Sequence, residues 1–98
     1  MDISHKSGKI HEILPMIRSE AKKTWVKNPP NITEHWENIT IEATYASIGL
    51  CVTDSGMDYS INVGVHGVSI CEKCIIMGSA DKTLVVDRII KELLQANE

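Results

Sequence analysis

Apolar residues recur at helical spacing over the first third of the chain. Ile10, Ile13, Leu14, Ile17, Ala21 and Trp25 fall on one face, with Arg18, Lys22 and Lys23 on the other. This pattern predicts an amphipathic helix over residues 9–27, preceded by a polar, Gly8-containing flexible N-terminus, residues 1–8. Pro15 interrupts the pattern. A proline removes a backbone donor and crowds the preceding turn, so the helix either starts near Leu14 or kinks. The run Asn28-Pro29-Pro30-Asn31 ends it, because a residue before proline avoids helical geometry.

Residues 31–38 read as a connector. From Ile39 the period changes to two, with Ile39, Ile41, Ala43 and Tyr45 facing one way and Thr40, Glu42 and Thr44 the other. The phase slips near Ala46 and Ser47, after which Ile48, Leu50 and Val52 hold the apolar positions. A bulge or bend within one long strand accounts for that slip. Thr53-Asp54-Ser55-Gly56-Met57-Asp58 has turn composition. Tyr59, Ile61, Val63 and Val65 mark a second strand, and residues 68–77 a third. Ser79 or Asp81 caps a last helix, whose Leu84, Val85, Val86, Ile89, Ile90, Leu93 and Leu94 form a wide apolar band. The resulting expectation is one α+β domain over residues 9–98. It is a small α-β-β-β-α domain with a three-stranded antiparallel sheet packed by an N-terminal and a C-terminal helix.

Charge alters this picture. The 98 residues carry a net charge of −3, but no lysine or arginine lies between Lys27 and Lys73. Six carboxylates occupy that gap: Glu34, Glu37, Glu42, Asp54, Asp58 and Glu72. Residues 1–30 carry a net +3. The sheet is therefore expected to be acidic, repelling phosphate and attracting basic protein surfaces. The chain has no apolar run of membrane-spanning length and no secretory leader pattern. Together with an odd count of three cysteines, this suggests a cytoplasmic protein that does not engage membranes.

Three features bear on chemistry. Cys71-Glu72-Lys73-Cys74 sets two thiols two residues apart, and Cys51 and His66 complete a candidate Cys₃His zinc set. The chain lacks a second close pair, and Ile75 follows the motif where small residues let a zinc knuckle turn. Free cysteines filling a strand are the preferred reading, with no cofactor expected and zinc as the alternative. Glu34, His35 and Glu37 offer two acids and a base, but no nucleophile or glycine-rich loop lies nearby, so no enzymatic activity is expected. Trp25 and Trp36 flank the proline pair. Trp25 reads as a core plug, whereas Trp36, among charged residues, is equally suited to a binding hot spot.

The order helix, strands, helix is similar to that of the double-stranded-RNA-binding domain. The stretch Tyr59-Ser60-Ile61-Asn62-Val63-Gly64-Val65-His66-Gly67 resembles that family's second strand, and Gly78-Ser79 resembles the approach to its last helix. The resemblance implies a basic cluster at the start of that helix. The matching positions here are Ser79, Ala80, Asp81, Lys82 and Thr83, and the loop matching the family's groove-entering loop carries Asp54 and Asp58. Loss of those cations removes the phosphate contacts on which duplex binding depends.

The sequence thus suggests a small non-enzymatic protein-binding module: an inhibitor or accessory protein, in the manner of phage or mobile-element proteins that block host nucleic-acid-handling systems. Glu34, Glu37, Asp54 and Asp58 would face a basic partner surface, with Trp36 as apolar anchor. The surplus of apolar residues on the last helix suggests a homodimer through that helix. The alternative is a nucleic-acid-binding domain, a degenerate form of the double-stranded-RNA-binding fold, using Arg18, Lys22, Lys23 and Lys27 of the first helix.

Overall fold

A computed structural model describes residues 4–66, 73–78 and 81–97, with the side chains of the first helix described from Ile10 onward. Helix α1 (Ser4–Thr24) is followed by strands β1 (Asn31–Glu34), β2 (Asn38–Glu42), β3 (Ala46–Val52), β4 (Asp58–Val65) and β5 (Lys73–Gly78), then helix α2 (Lys82–Ala96). The strands form one antiparallel meander in the order β1-β2-β3-β4-β5. The three-stranded sheet expected from sequence is therefore incorrect. The class remains α+β, but the architecture is α-β5-α, and the match in element order to the double-stranded-RNA-binding domain is lost with it.

Two hairpins account for the difference. The apparent connector at residues 31–38 contains β1 and a tight turn, closed by the His35 N–H donating to the Asn38 carbonyl at 2.8 Å. The apparent long strand from Ile39 to Val52 is two strands. The Ala43 N–H donates to the Ala46 carbonyl at 2.8 Å, and only Thr44 and Tyr45 lie between them. The phase slip is thus a reversal of the chain and not a bulge, and Tyr45 is exposed in the turn instead of inward-facing. The β3–β4 turn uses Gly56 at φ +76°, a left-handed conformation that costs a side-chain-bearing residue more than glycine.

Residues paired across an antiparallel ladder share a face. Ile39 and Ile41 pair with Leu50 and Ile48, which pair with Ile61 and Val63, and all six are buried. Both helices cover this face, α2 over β3 and β4 and α1 over β2 and β3. Helix α1 contributes Ile10, Ile13, Leu14, Ile17 and Ala21, as the spacing predicts. It starts at Ser4 and ends at Thr24, not at residues 9 and 27, and runs through Pro15, which sits on its exposed side.

The apolar band of α2 packs on two sides. Val85, Val86, Ile89, Ile90 and Leu93 are buried, leaving Leu84 (57% exposed) and Leu94 (42%) outside. Asp81 is the N-cap, its carboxylate accepting from the Thr83 and Leu84 amides at 3.0 and 3.3 Å. At the other end of α2, Asn97 Oδ1 accepts from the Tyr45 amide at 2.6 Å and fixes the helix to the β2–β3 turn. Glu92 is buried beside β5, where its carboxylate accepts from Lys73 Nζ at 2.9 Å and from Arg88 Nε at 2.8 Å.

Candidate functional site

The meander places alternate turns at the same end of the sheet. Asn38 pairs with Cys51, so the β1–β2 turn (residues 35–37) lies beside the β3–β4 turn (residues 53–57). This end collects Trp36, Glu37 and Asp54, with Glu34 and Asp58 just below on the strands. The helices also begin here, since Lys82 of α2 reaches Glu12 of α1 at 3.7 Å and Asp81 caps α2 alongside. Trp36 is 61% exposed and Met57 67% exposed, so two large apolar side chains stand in water among carboxylates. Single exposed apolar residues are ordinary, and Val26, Tyr45 and Leu84 are others here; what sets these two apart is that they stand on two adjacent turns.

The five residues singled out from sequence do not share one orientation. Glu34 pairs in register with buried Ile39, so it points to the helix side, where its carboxylate meets Nδ1 of His11 of α1. Asp58 precedes inward-facing Tyr59 and therefore points to the uncovered face, opposite Gly78. Trp36, Glu37 and Asp54 project from the turns between them and are exposed. Met57 and Asp81 belong to the same end and were not anticipated. The signal for Met57 was a long apolar residue inside an otherwise polar turn sequence. Buried Tyr59 lies below on the helix side; burial raises its phenol above the usual value of 10.0, and the charge of Glu12 adds to the effect.

The uncovered face differs from expectation. Its central row is Thr33, Thr40, Gly49, Asn62 and Cys74, all uncharged. A Cβ built on Gly49 would meet nothing within 4 Å, which shows how open that row is. The centre of this face is therefore uncharged, and its carboxylates, Asp58 and Glu42, stand at its two ends. Glu42 lies at the opposite end of β2, and Glu72 falls outside the described residues.

No protein-family model, curated protein or solved structure matches the chain.

The candidate zinc ligands are not brought together. Cys51 and Cys74 both face the open side but stand two strands apart, about 10 Å at the usual strand spacing. His66 lies at the opposite end of the sheet from Cys51, where its Nδ1–H donates to the Thr44 carbonyl at 2.9 Å. Cys71 lies outside the described residues. Among the described residues, no three metal-ligating side chains converge. Cys74 Sγ instead lies 3.8 Å from Ser60 Oγ, which also accepts from Asn62 Nδ2 at 3.2 Å.

Of the basic residues of α1, Arg18, Lys22 and Lys23 lie toward the other end of the molecule, whereas Lys6 and Lys9 belong to the first turns of the helix. His11 sits at Glu34 near the acidic turns, while Arg18 and Lys22 border Pro29, Pro30 and Asn31 at the start of β1. Lys23 is exposed and pairs with Glu20 at 3.5 Å. Carboxylates thus predominate on the first and third turns of the sheet, with Lys82 among them, and Arg18, Lys22 and Lys23 lie where α1 ends, beside Glu20. None of the described helices is long and apolar enough to cross a membrane.

Proposed function

We propose that this protein is a non-enzymatic binding module, an inhibitor or accessory protein whose acidic end meets a basic surface on a protein partner. The observation that carries this reading is the exposure of Trp36 and Met57 within a group of carboxylates on two adjacent turns. An exposed tryptophan on a rigid hairpin gives an anchor that loses little freedom on binding, and tryptophan is prominent among interface hot spots. Glu37, Asp54 and Asp58 around it speed the encounter with a cationic surface and set its orientation. Glu34 has a different part: it faces α1 and meets His11 there, so it is not available to a partner in the way that Glu37 and Asp54 are. A surface that ordinarily holds nucleic acid has the charge this end requires.

The test is a nuclease-treated pull-down with the wild type, Trp36→Ala, and Glu37→Lys/Asp54→Lys. All three positions are exposed, and a thermal melt of each variant establishes that it is folded before binding is read. A partner retained by the wild type and weakened roughly tenfold or more by each variant supports the reading. Retention of the same proteins by all three refutes it.

A second reading rests on exposed Arg18, Lys22 and Lys23 where α1 ends, which suit a phosphate backbone. Under that reading nucleic-acid binding falls steeply with salt and is abolished by Lys22→Glu/Lys23→Glu, while Glu37→Lys leaves or improves it.

A further inference from the structure

The two edges of the sheet are defended differently. At β1 the pairing edge is four residues long, follows Pro29 and Pro30, and is tied to α1 through Glu34. Proline and short length are common means of preventing an edge from recruiting another strand. Strand β5 has no such device. Its one charged residue, Lys73, is drawn back onto Glu92 of α2, and the rest of the strand is Cys74, Ile75, Ile76, Met77 and Gly78. Ile76 is 56% exposed, and Ile75 and Met77 are only partly covered by the core.

The register shows which groups this edge offers. The Thr53 amide donates to the Asp58 carbonyl and the His66 amide to the Tyr45 carbonyl, which frame the β3–β4 ladder. Alternate residues of an antiparallel strand direct both main-chain groups to the same side. Asp58, Ser60, Asn62 and Gly64 therefore bond to β3, and Tyr59, Ile61 and Val63 bond to β5. Their partners are Met77, Ile75 and Lys73. Cys74, Ile76 and Gly78 remain, with their N–H and C=O groups directed outward, and no strand among the described residues lies beyond them.

These outward positions are self-complementary. We infer that two copies of this chain associate through β5, antiparallel about a two-fold axis at Ile76, to make one continuous ten-stranded sheet. Ile76 then pairs with Ile76 of the second copy and Cys74 with its Gly78, so that every outward N–H and C=O of the three residues is bonded. A shift by one residue would set bonded groups against unbonded ones and turn the helix layer of one copy to the open side of the other. On the helix side, Ile75 meets Met77 of the second copy as a close non-bonded pair, completing the cover of two side chains that the monomer buries only in part. On the open side the two Ile76 side chains lie together, and Gly78 leaves room beside Cys74. A second copy is favoured over a foreign strand because the same three positions supply both halves of the match.

Sedimentation of the full chain at micromolar concentration tests this. The wild type is expected at twice its 10.9 kDa mass. Ile76→Lys, which brings two like charges together on the axis, and Ile76→Pro are both expected to be monomers, with association weakened more than about 100-fold. Because the Ile76 amide faces outward, proline there removes no bond to β4 and the monomer stays folded. Leu94→Lys, on the other side of α2, is expected to remain dimeric. Ile76→Cys with Cys51, Cys71 and Cys74 changed to Ser should cross-link on mild oxidation, since bonded antiparallel pairs lie within disulfide range, whereas Ile75→Cys in that background should not. A monomeric wild type overturns the inference and leaves the edge to a strand of another protein. Dimers that survive both Ile76 substitutions, or that are lost with Leu94→Lys, overturn it in favour of another surface such as α2. Cross-linking through Ile75→Cys in place of Ile76→Cys overturns the register.

Discussion

Glu92 offers a sharp test of how α2 is held to the sheet. Its side chain is 5% exposed and accepts from Lys73 Nζ and Arg88 Nε, while those cations are 49% and 41% exposed. The burden of desolvation therefore falls on the carboxylate alone. A hydrogen bond to a charged group contributes about 1.5–3 kcal/mol, but half-exposed cations regain water when it is lost, which lowers the figure toward that of surface pairs. Glu92→Gln retains one acceptor and introduces a buried amide donor facing two cationic donors, an unmet group that costs a further 1–3 kcal/mol or so. The net expectation is a loss of about 2 kcal/mol, or roughly 8–16 °C in Tm for a domain of this size. Glu92→Leu avoids the donor conflict, lets both cations hydrate, and should cost less than Glu92→Gln.

The same residue sets an acid limb. Hydrogen bonds from Lys73, then Arg88, hold its carboxyl below the usual 4.5. A lowered folded-state value means that the stabilisation is complete above pH 4.5 and is lost as pH falls below it. Thermal melts from pH 7 to pH 3 should therefore converge for wild type and Glu92→Gln. Parallel acid limbs, or a Glu92→Gln variant as stable as the wild type at pH 7, would refute the assigned pairings.

Asp81→Ala removes the cap of α2 and should cost about 1 kcal/mol in urea melts, with Asp81→Ser recovering most of it. Leu50 is fully buried on the central strand beneath both helices, so Leu50→Ala should cost about 2–5 kcal/mol by chemical denaturation. Because the Tyr59 phenol is raised above 10.0, the unfolded chain ionises first and stability falls as pH rises past that value. Tyr59→Phe should flatten this alkaline limb, whatever its effect at pH 7. An unchanged limb would show that another group sets it.

Both helices were legible in the sequence because each buries a stripe at a period that loops do not imitate. Ile10, Ile13, Leu14, Ile17 and Ala21 needed no tertiary knowledge. The sheet was harder to count for two physical reasons. Strand β1 buries little, with only Ile32 packed against the core, so Asn31, Thr33 and Glu34 made it look like a loop. The β2–β3 turn is made of Thr44 and Tyr45, residues typical of strands, and lacks the Gly, Asn or Pro that ordinarily marks a reversal. The shift in apolar phase at Ala46 did record that reversal, since a turn of this length carries the alternation back with a changed parity. In the candidate site, composition identified the carboxylates and Trp36 but not their directions. Whether Glu34 meets a helix or the solvent depends on its partner being Ile39, which only the hairpin register determines.

The meander itself governs how the chain reaches this state. Every strand pairs with its neighbour in sequence, so the whole sheet can be assembled through short loop closures. The contact between α1 and α2 is different, for the entire sheet lies between them in sequence. Until α2 has been made, the apolar face of β4 and part of that of β3 lack their cover, and the nascent sheet is most prone to aggregate during that interval. Truncation before α2 is therefore expected to leave an aggregating sheet and not a soluble smaller domain.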